Sequence, residues 1–145
     1  MSAGPLTVAR DVSLVITLPA FQFLLSPDYI EDFEAKPDAK VDKFLGVSGI
    51  ITPYMVFEGG MFDMTIARTD AQVEQYWSLL EAEWYAGTNI PGGTIHETIT
   101  EVNGSVSQNI YTNVQLKVDT FGMRKGNELI RQKLSGYFSR FERLT

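Results

Sequence analysis

The stretch from Thr94 to Asp119 constrains the fold most, because it has the residue pattern of one long β-hairpin. Asn103-Gly104 lies at its centre, and both residue types tolerate the positive φ angles that a two-residue type I′ turn requires. The thirteen residues after Ser105 alternate in character, whereas a typical strand has about five or six residues. The alternation predicts two faces. One is apolar (Val106, Ile110, Val114, Leu116 and Val118), and the other is rich in uncharged amides (Ser107, Asn109, Tyr111, Asn113, Gln115, Lys117 and Asp119).

Several other segments have strand patterns. Val12–Leu18 alternates like an early, largely buried strand, and residues 62–67 alternate in the same way. Residues 41–51 are β-like but contain two glycines, which predict a bend or bulge. The last element, 128–141, fits both a strand and a helix. Its central glycine and the turn before it favour a strand that pairs with 106–118.

One amphipathic helix is predicted at about Ala71–Ala86. Thr69 is the expected N-cap, with Gln72 completing a capping box, and Gly87 is the expected C′ residue. The face expected to pack on a sheet comprises Val73, Trp77, Leu80 and Trp84. The face expected to be exposed comprises Glu74, Gln75, Glu81 and Glu83.

Charge is divided unevenly along this chain, whose formal net charge is −6. Residues 1–101 contain fifteen acidic and five basic residues, whereas residues 102–145 contain three acidic and seven basic ones. The acidic segment 26–43 is interrupted by Pro37, so we expect a long surface loop or arm there, with one short helical turn at most. The negative charge argues against a general nucleic-acid binder. The uneven division fits pairing between copies as well as neutralisation within one fold.

The residues of common catalytic and metal sites are absent or badly placed. The chain has no cysteine, which excludes thiol and zinc–thiolate chemistry and favours synthesis in the cytoplasm. The single histidine, His96, is next to Glu97, but consecutive strand residues point to opposite faces. Neither a calcium loop nor a phosphate-binding loop is recognisable. We therefore predict a non-enzymatic protein without cofactor or metal, and without stable membrane insertion of the monomer.

The layout resembles the tail tube proteins of contractile-tailed bacteriophages, which are similar to the inner-tube proteins of contractile injection systems. The resemblance is carried by the chain length, the early strand Val12–Leu18, the acidic arm 26–43, the single helix and the long strands that follow it. The residue pattern of Ile110–Asp119 resembles that of the late strands of this family. The resemblance implies a mainly β (α+β) fold, a β-sandwich or half-barrel with one helix, in a single domain spanning residues 1–145.

The same resemblance implies a structural virion protein, assembled in the host cytoplasm and located in the tail. Copies would form hexameric rings that stack head to tail into an inner tube, and DNA would pass through the lumen without specific binding. The other implied partners are the tail sheath protein and the baseplate and tail terminator proteins. Six copies would carry a formal charge of about −36, and an anionic lumen repels phosphate.

Three groups of residues are candidates for contacts in such an assembly. The polar hairpin face would line the lumen through Glu97, Glu101, Asn109, Asn113 and Gln115. Rings would stack through the acidic arm and a basic turn, that is, through Asp28, Glu31, Asp32, Glu34, Asp38, Arg124 and Lys125. The acidic helix residues Glu74, Glu81 and Glu83 would face the sheath.

Two alternatives remain open. One is a baseplate hub or tube-initiating protein, which would have the same fold but occur in a single ring. The other is a small-ligand or carbohydrate-binding β-domain that uses Trp77, Trp84 or Tyr85.

Overall fold

A computed structural model describes Leu6 and residues 12–18, 21–25 and 27–144 of the chain. A short 3-10 turn (Pro27–Tyr29) precedes β3. The strands are β1 (Val12–Leu18), β2 (Phe21–Leu25), β3 (Ile30–Leu45), β4 (Ile51–Ala67), β5 (Gly93–Thr100), β6 (Val106–Thr120), β7 (Arg131–Phe138) and β8 (Arg140–Arg143), and the helix is α1 (Gln72–Tyr85). The predicted mainly β fold with one helix is confirmed.

All strand pairs in the sheet are antiparallel, and the order is β2-β1-β5-β6-β7-β4-β3, with β8 also paired to β6. Strand β6 divides this sheet into two limbs. Its first half pairs with β5 and β8, and its second half pairs with β7. The first limb therefore contains β2, β1, β5 and β8, and the second contains β7, β4 and β3.

A β-bulge at Asn113 joins the two limbs and breaks the predicted alternation. Asn113 has a φ of 54°, and the β5–β6 register shifts across it. One extra residue reverses which side chains face inward. Tyr111 is therefore buried before the bulge, and Val114 and Leu116 are buried after it. The prediction of one unbroken apolar face was wrong for the first half of β6, where Ile110 lies on the side away from the core.

The hydrophobic core lies between the limbs and is closed by α1. The first limb contributes Leu14, Ile16 and Ile95, while the second contributes Phe62, Met64 and Leu134, among others. Aromatic rings join the limbs, since the centroids of Tyr111 and Phe138 are 4.9 Å apart at an interplanar angle of 68°. Edge-to-face contacts of this kind add about 0.5–1.5 kcal/mol to the burial of the rings.

The turn after β5 differs from the predicted type. Gly104 has a φ of 88°, but Asn103 does not adopt a positive φ. The Glu101 N–H donates to the Ser105 carbonyl at 2.8 Å, and the Gly104 N–H donates to the Glu101 carbonyl at 3.0 Å. The connection is thus a three-residue loop with a left-handed glycine rather than a two-residue type I′ turn.

Helix α1 begins later than predicted, and its predicted packing face is confirmed for Val73, Trp77 and Leu80 but not for Trp84. Ala71 occupies the N-cap position without a side-chain bond, so the predicted Thr69 cap was wrong. Val73 and Tyr76 are buried, whereas Trp84 is 66% exposed because it lies on the last turn. The predicted C′ glycine is confirmed, since Gly87 has a φ of 81°.

The segment 26–43 is mainly a strand rather than the predicted loop. Apart from the 3-10 turn, it forms most of the sixteen-residue first arm of a hairpin, β3, which pairs with β4 over most of its length. Its charges and its proline are tolerated because β3 is an edge strand. The register is irregular between Pro37 and Ala39. The predicted strand character of 128–141 is confirmed, because β7 pairs with β4 and β6.

Candidate assembly surfaces

The outer half of the β3–β4 hairpin projects beyond the rest of the fold. The partner strand β7 accompanies β4 only as far as the pair Gly60–Phe138. Beyond that point β3 and β4 pair only with each other, from Ala39–Phe57 to Leu45–Ile51. We call residues 38–59 the distal hairpin. A two-stranded hairpin is marginally stable by itself in water, so this segment needs further contacts to be held firmly.

One face of the distal hairpin is almost entirely apolar. Directly paired residues share a face, which places Val41 with Met55, and Leu45 with Ile51. We call this set the apolar hairpin face; it comprises Ala39, Val41, Lys43, Leu45, Ile51, Pro53, Met55 and Phe57. Its large side chains are unburied, with Val41 68% and Phe57 83% exposed. A contiguous exposed apolar patch of this kind marks an interaction surface.

A second candidate surface is an apolar cavity of about 280 Å³ beside the C-terminal end of α1. We call it the helix-end cavity. It is lined by Leu18, Tyr76, Leu79, Leu80, Glu83, Thr88, Asn89, Ile90, Pro91 and Gln115. Glu83 is the one carboxylate in this lining. The volume lies slightly below the range of small-molecule sites, which is about 300–1,000 Å³.

The walls of the helix-end cavity are fixed by hydrogen bonds to strand β6 and to the loop after α1. The Tyr76 hydroxyl donates to the Leu116 carbonyl at 2.7 Å, and the Gln115 side chain donates to the Ile90 carbonyl at 3.1 Å. Burial raises the pKa of Tyr76 from 10.0 to about 12, so its hydroxyl stays protonated and keeps donating even at moderately alkaline pH. The cavity is therefore a preformed feature of the folded chain.

The five predicted lumen residues do not share one face. Glu97 and Asn109 are paired across β5 and β6 and hydrogen bonded at 3.0 Å, and Glu97 pairs with the buried Leu14 on its other side. Both therefore lie on the core side of the first limb. Burial, together with the charge and hydrogen bond of Glu97, raises the pKa of Tyr111 to about 12.

The other three predicted lumen residues are distributed along the hairpin. Glu101 accepts a hydrogen bond from the Ser107 hydroxyl at 2.8 Å near the β5–β6 turn. Asn113 lies in the bulge and donates to the Ser139 hydroxyl at 2.9 Å. Gln115 lies after the bulge, at the helix-end cavity. Their exposure to a lumen stays a prediction.

The opposite side of the first limb carries a different set of residues. Because Ile16 and Ile95 point into the core, their neighbours Val15, Thr17, Thr94 and His96 point away from it. We call this the hydroxyl face; it comprises Ser13, Val15, Thr17, Thr94, His96, Thr98, Thr100, Val106, Gln108, Ile110, Thr112, Arg140 and Glu142. Arg140 and Glu142 are ion paired at 3.2 Å.

The predicted stacking residues are only partly available for contacts between copies. Glu31 accepts a hydrogen bond from Arg131 of the same chain, and Glu34 is ion paired with Lys36 at 3.3 Å. Arg124 folds back onto its own turn, donating to the Phe121 and Gly122 carbonyls at 3.1 and 2.9 Å. The remaining members, Asp28, Asp32, Asp38 and Lys125, are exposed.

The predicted sheath-facing glutamates have different environments. Glu74 accepts hydrogen bonds from Arg68 at 3.0 Å and from the buried Gln132 at 2.8 Å. Burial opposes ionisation of Glu74, but these hydrogen bonds and the Arg68 charge outweigh it and lower its pKa. Glu81 is exposed, while Glu83 is half-buried at the helix-end cavity.

Sequence reasoning missed both the apolar hairpin face and the helix-end cavity. The apolar hairpin face had a partial signal in the sequence. Apolar residues occupy alternate positions in both strands, namely Val41 and Leu45 in the first, and Ile51, Pro53, Met55 and Phe57 in the second. The cavity had none, since it depends on how a loop and a helix end meet. Of the predicted ligand-binding aromatics, Trp77 packs on the core, and Trp84 and Tyr85 lie outside the cavity lining.

A metal site is a further possibility for a chain with eighteen carboxylate side chains. Within the described part of it, however, no three His, Cys, Asp or Glu side chains are grouped so that they could hold a metal ion. Nor does any helix there have both the length and the apolar character to cross a membrane.

No protein-family model and no curated protein match this sequence. Its fold, however, matches solved structures over nearly the whole chain. The cryo-EM structure of the anti-feeding prophage cap, a tube-terminating cap, aligns with a TM-score of 0.62 and 14% identity, covering 100% of this chain and 94% of the other. The sheath-tube complex of an extracellular contractile injection system, PVC, aligns with a TM-score of 0.58 and 8% identity, covering 92% and 88%. The chain has a tail-tube-like fold.

A third structure with a similar fold comes from a baseplate. The six-fold symmetrised anti-feeding prophage baseplate aligns with a TM-score of 0.57 and 8% identity, covering 99% of this chain and 97% of the other. Tube, cap and baseplate structures thus match almost equally well. These likenesses confirm the predicted resemblance at the level of the fold.

Proposed function

We propose that this chain is a tube subunit of a contractile, phage-tail-like injection apparatus. Six copies form a ring, rings stack head to tail, and the tube is a conduit for DNA. The observation that carries this proposal is the apolar hairpin face. The chain builds a long projecting hairpin and leaves its large apolar side chains uncovered, which is costly in a monomer and favourable in a polymer.

The open edges of the first limb support closure into a ring. Among the described strands, β2 pairs only with β1 and β8 pairs only with β6, so each has one edge that no other described strand covers. Unpaired edges invite pairing with another chain, and a closed barrel removes them. A contact between β2 of one copy and β8 of the next would join unlike edges, and contacts between unlike surfaces generate rings or filaments.

For the channel wall we propose the hydroxyl face, because it lies on the limb whose edges would close the ring. It replaces the set expected from the sequence, whose members Glu97 and Asn109 point toward the core. Its threonine, serine and glutamine side chains offer DNA no cation, and its one arginine, Arg140, is ion paired with Glu142 on the same face. The remaining charge of the chain, −6 in total, would lie around this wall and repel phosphate.

The cysteine-free sequence allows a direct test of the channel wall. Thr98→Cys places a thiol on the hydroxyl face, and Lys117→Cys places one on the outer side of the second limb. In assembled tubes, a small maleimide should label both variants, whereas a large polymer-linked maleimide should label only the Lys117→Cys variant. Equal labelling of both variants by the large reagent would contradict the assignment.

Outside the tube we propose contacts with the sheath, through the exposed Glu81 side of α1, and with baseplate and terminator proteins at the tube ends. In this proposal the subunit is made in the host cytoplasm and ends in the tail of the virion. The similar structures include a sheath-tube complex and a tube-terminating cap, which supports partners of these kinds.

The central experiment is negative-stain electron microscopy of the purified protein, together with light scattering across a concentration series. We expect six-fold rings or tubes with a central hole, either spontaneously or after addition of the baseplate proteins of the same system. A protein that stays monomeric under both conditions would contradict the proposal.

The baseplate match supports one alternative, a hub or tube-initiating protein with the same fold. Copy number distinguishes the two roles. Quantitative mass spectrometry of purified particles should find a tube subunit in proportion to the sheath protein, and an initiator in the amount of a single ring.

A further inference from the structure

Each copy of the chain carries an uncovered apolar protrusion and an unfilled apolar cavity. We propose that the distal hairpin of one copy docks at the helix-end cavity of a second copy, with Lys43 of the hairpin against Glu83 of the cavity. This inference rests on the proposed tube function and names the two surfaces that join neighbouring copies.

The apolar content of the two surfaces matches. The apolar hairpin face has seven apolar residues and one other, and Leu45 and Met55 are 65% and 54% exposed. The cavity is lined mainly by Leu18, Leu79, Leu80, Ile90 and Pro91, and its 280 Å³ are enough for one or two side chains rather than for a cofactor. Large apolar side chains that fill a preformed pocket are the usual centre of a protein interface.

Each of the two surfaces also carries a single charge, and the two charges are opposite in sign. Lys43 is the only ionisable residue on the apolar hairpin face, and Glu83 is the only carboxylate in the cavity lining. Within the described residues, neither forms an ion pair at 4.0 Å or less. The C-terminal end of a helix carries partial negative charge, so the end of α1 adds to the attraction for a cation.

A second copy is the occupant that best explains both features. The chain's own hairpin leaves the cavity unfilled, and every copy supplies one hairpin and one cavity. The two surfaces are different, so each contact leaves a hairpin free at one end and a cavity free at the other. Head-to-tail contacts of this kind propagate when their rotation does not close into a ring, as a stack of rings requires.

Charge reversal tests the pairing. Lys43→Glu and Glu83→Lys should each raise the concentration needed for assembly about tenfold or more, because each puts like charges together in a desolvated contact. The double variant restores opposite charges and should assemble near the wild-type concentration. Circular dichroism melts of the monomers verify that every variant is folded.

Matched control variants separate this contact from general charge effects. Lys40→Glu makes the same change on the opposite face of the hairpin, and Glu128→Lys reverses the charge of an exposed glutamate outside both surfaces. Both controls should assemble at close to the wild-type concentration. If the single variants behave like these controls, or if the double variant fails to recover, the docking proposal is overturned while the tube function stands.

Cross-linking gives an independent readout. In the cysteine-free chain, a variant carrying both Lys43→Cys and Glu83→Cys should give a ladder of covalent oligomers when wild-type-like assemblies are treated with a short bismaleimide. Either single-cysteine variant should give no ladder. A double variant that assembles but gives no ladder would contradict the docking. Failure of the wild-type chain to assemble at all would instead count against the tube function.

Discussion

The two halves of the β3–β4 hairpin have similar strand patterns but opposite surroundings. In the proximal half, residues 30–37 and 60–67, every second side chain of β4 is buried, and Phe62, Met64 and Ile66 are 2%, 1% and 5% exposed. In the distal half, Met55 and Phe57 on the same strand are 54% and 83% exposed. The proximal half is covered by β7, α1 and the first limb, whereas the distal half extends beyond them.

This difference shows what strand alternation does and does not specify. An alternating segment will have an apolar face that is best covered, but the covering surface can belong to the same chain or to another. The proximal half is part of a folding unit. We interpret the distal half as part of an assembly unit, and the predictions below test that division.

The largest effect is expected from truncating a phenylalanine in the proximal half. Phe62→Ala should lower the free energy of unfolding by about 3–5 kcal/mol, because it opens a cavity in a core that is almost fully buried. The matched variant Phe57→Ala, five residues earlier on the same strand, should change it by less than about 0.5 kcal/mol. Urea unfolding of dilute monomer measures both. Comparable losses would show that the distal half is also part of the monomer core.

The second effect concerns assembly, and here we expect substitutions in the distal half of the hairpin to matter most. Met55→Asp should raise the concentration needed for assembly about a hundredfold or more, since it buries a carboxylate in an apolar contact. Tyr54→Asp is the matched variant, because Tyr54 is the adjacent residue on the opposite face and is similarly exposed, at 47%. We expect a much smaller change for Tyr54→Asp, measured by sedimentation. Equal effects would remove the distinction between the two faces of the distal hairpin.

The third effect tests the core that covers the proximal half. Burial raises the pKa of Tyr76, and also that of Tyr111, from 10.0 to about 12. In the unfolded chain these hydroxyls lose their protons near pH 10, so between pH 10 and 12 the folded state binds more protons than the unfolded state. The stabilisation is complete below pH 10 and is lost as the pH rises through about 12, by up to about 3 kcal/mol for each tyrosine.

Urea unfolding at pH 9, 10, 11 and 12 measures this loss. Tyr76→Phe should flatten the alkaline decline, at the expense of about 1 kcal/mol at neutral pH from the missing hydrogen bond to Leu116. A decline that is as steep in this variant as in the wild-type chain would assign the alkaline sensitivity to other groups.

The sequence predicted those parts of the fold that local patterns control, such as strand β1, the helix and its C′ glycine Gly87. It missed the bulge at Asn113: asparagine tolerates the positive φ found there, but it also occurs in regular strands and turns, and the bulge depends on how β6 passes from one limb to the other. It also missed the strand character of 30–43, where acidic residues and Pro37 resemble a loop but are compatible with an edge strand. The candidate surfaces depend on the same features: Glu97 lies on the core side of the first limb, its position in a lumen stays a prediction, and the apolar hairpin face was not recognised.

The smallest expected effect tests whether the proximal half also takes part in assembly. Glu31 was predicted as a stacking residue, but it is paired with Arg131 on β7, at the base of the hairpin. Both side chains are partly exposed, so Glu31→Gln should change the free energy of unfolding by less than about 1 kcal/mol. Because the carboxylate already has a partner within the chain, assembly should change less than about threefold, and Glu34→Gln should behave in the same way. A tenfold loss of assembly in Glu31→Gln with an unchanged unfolding curve would show that the boundary between folding unit and assembly unit lies inside the proximal half.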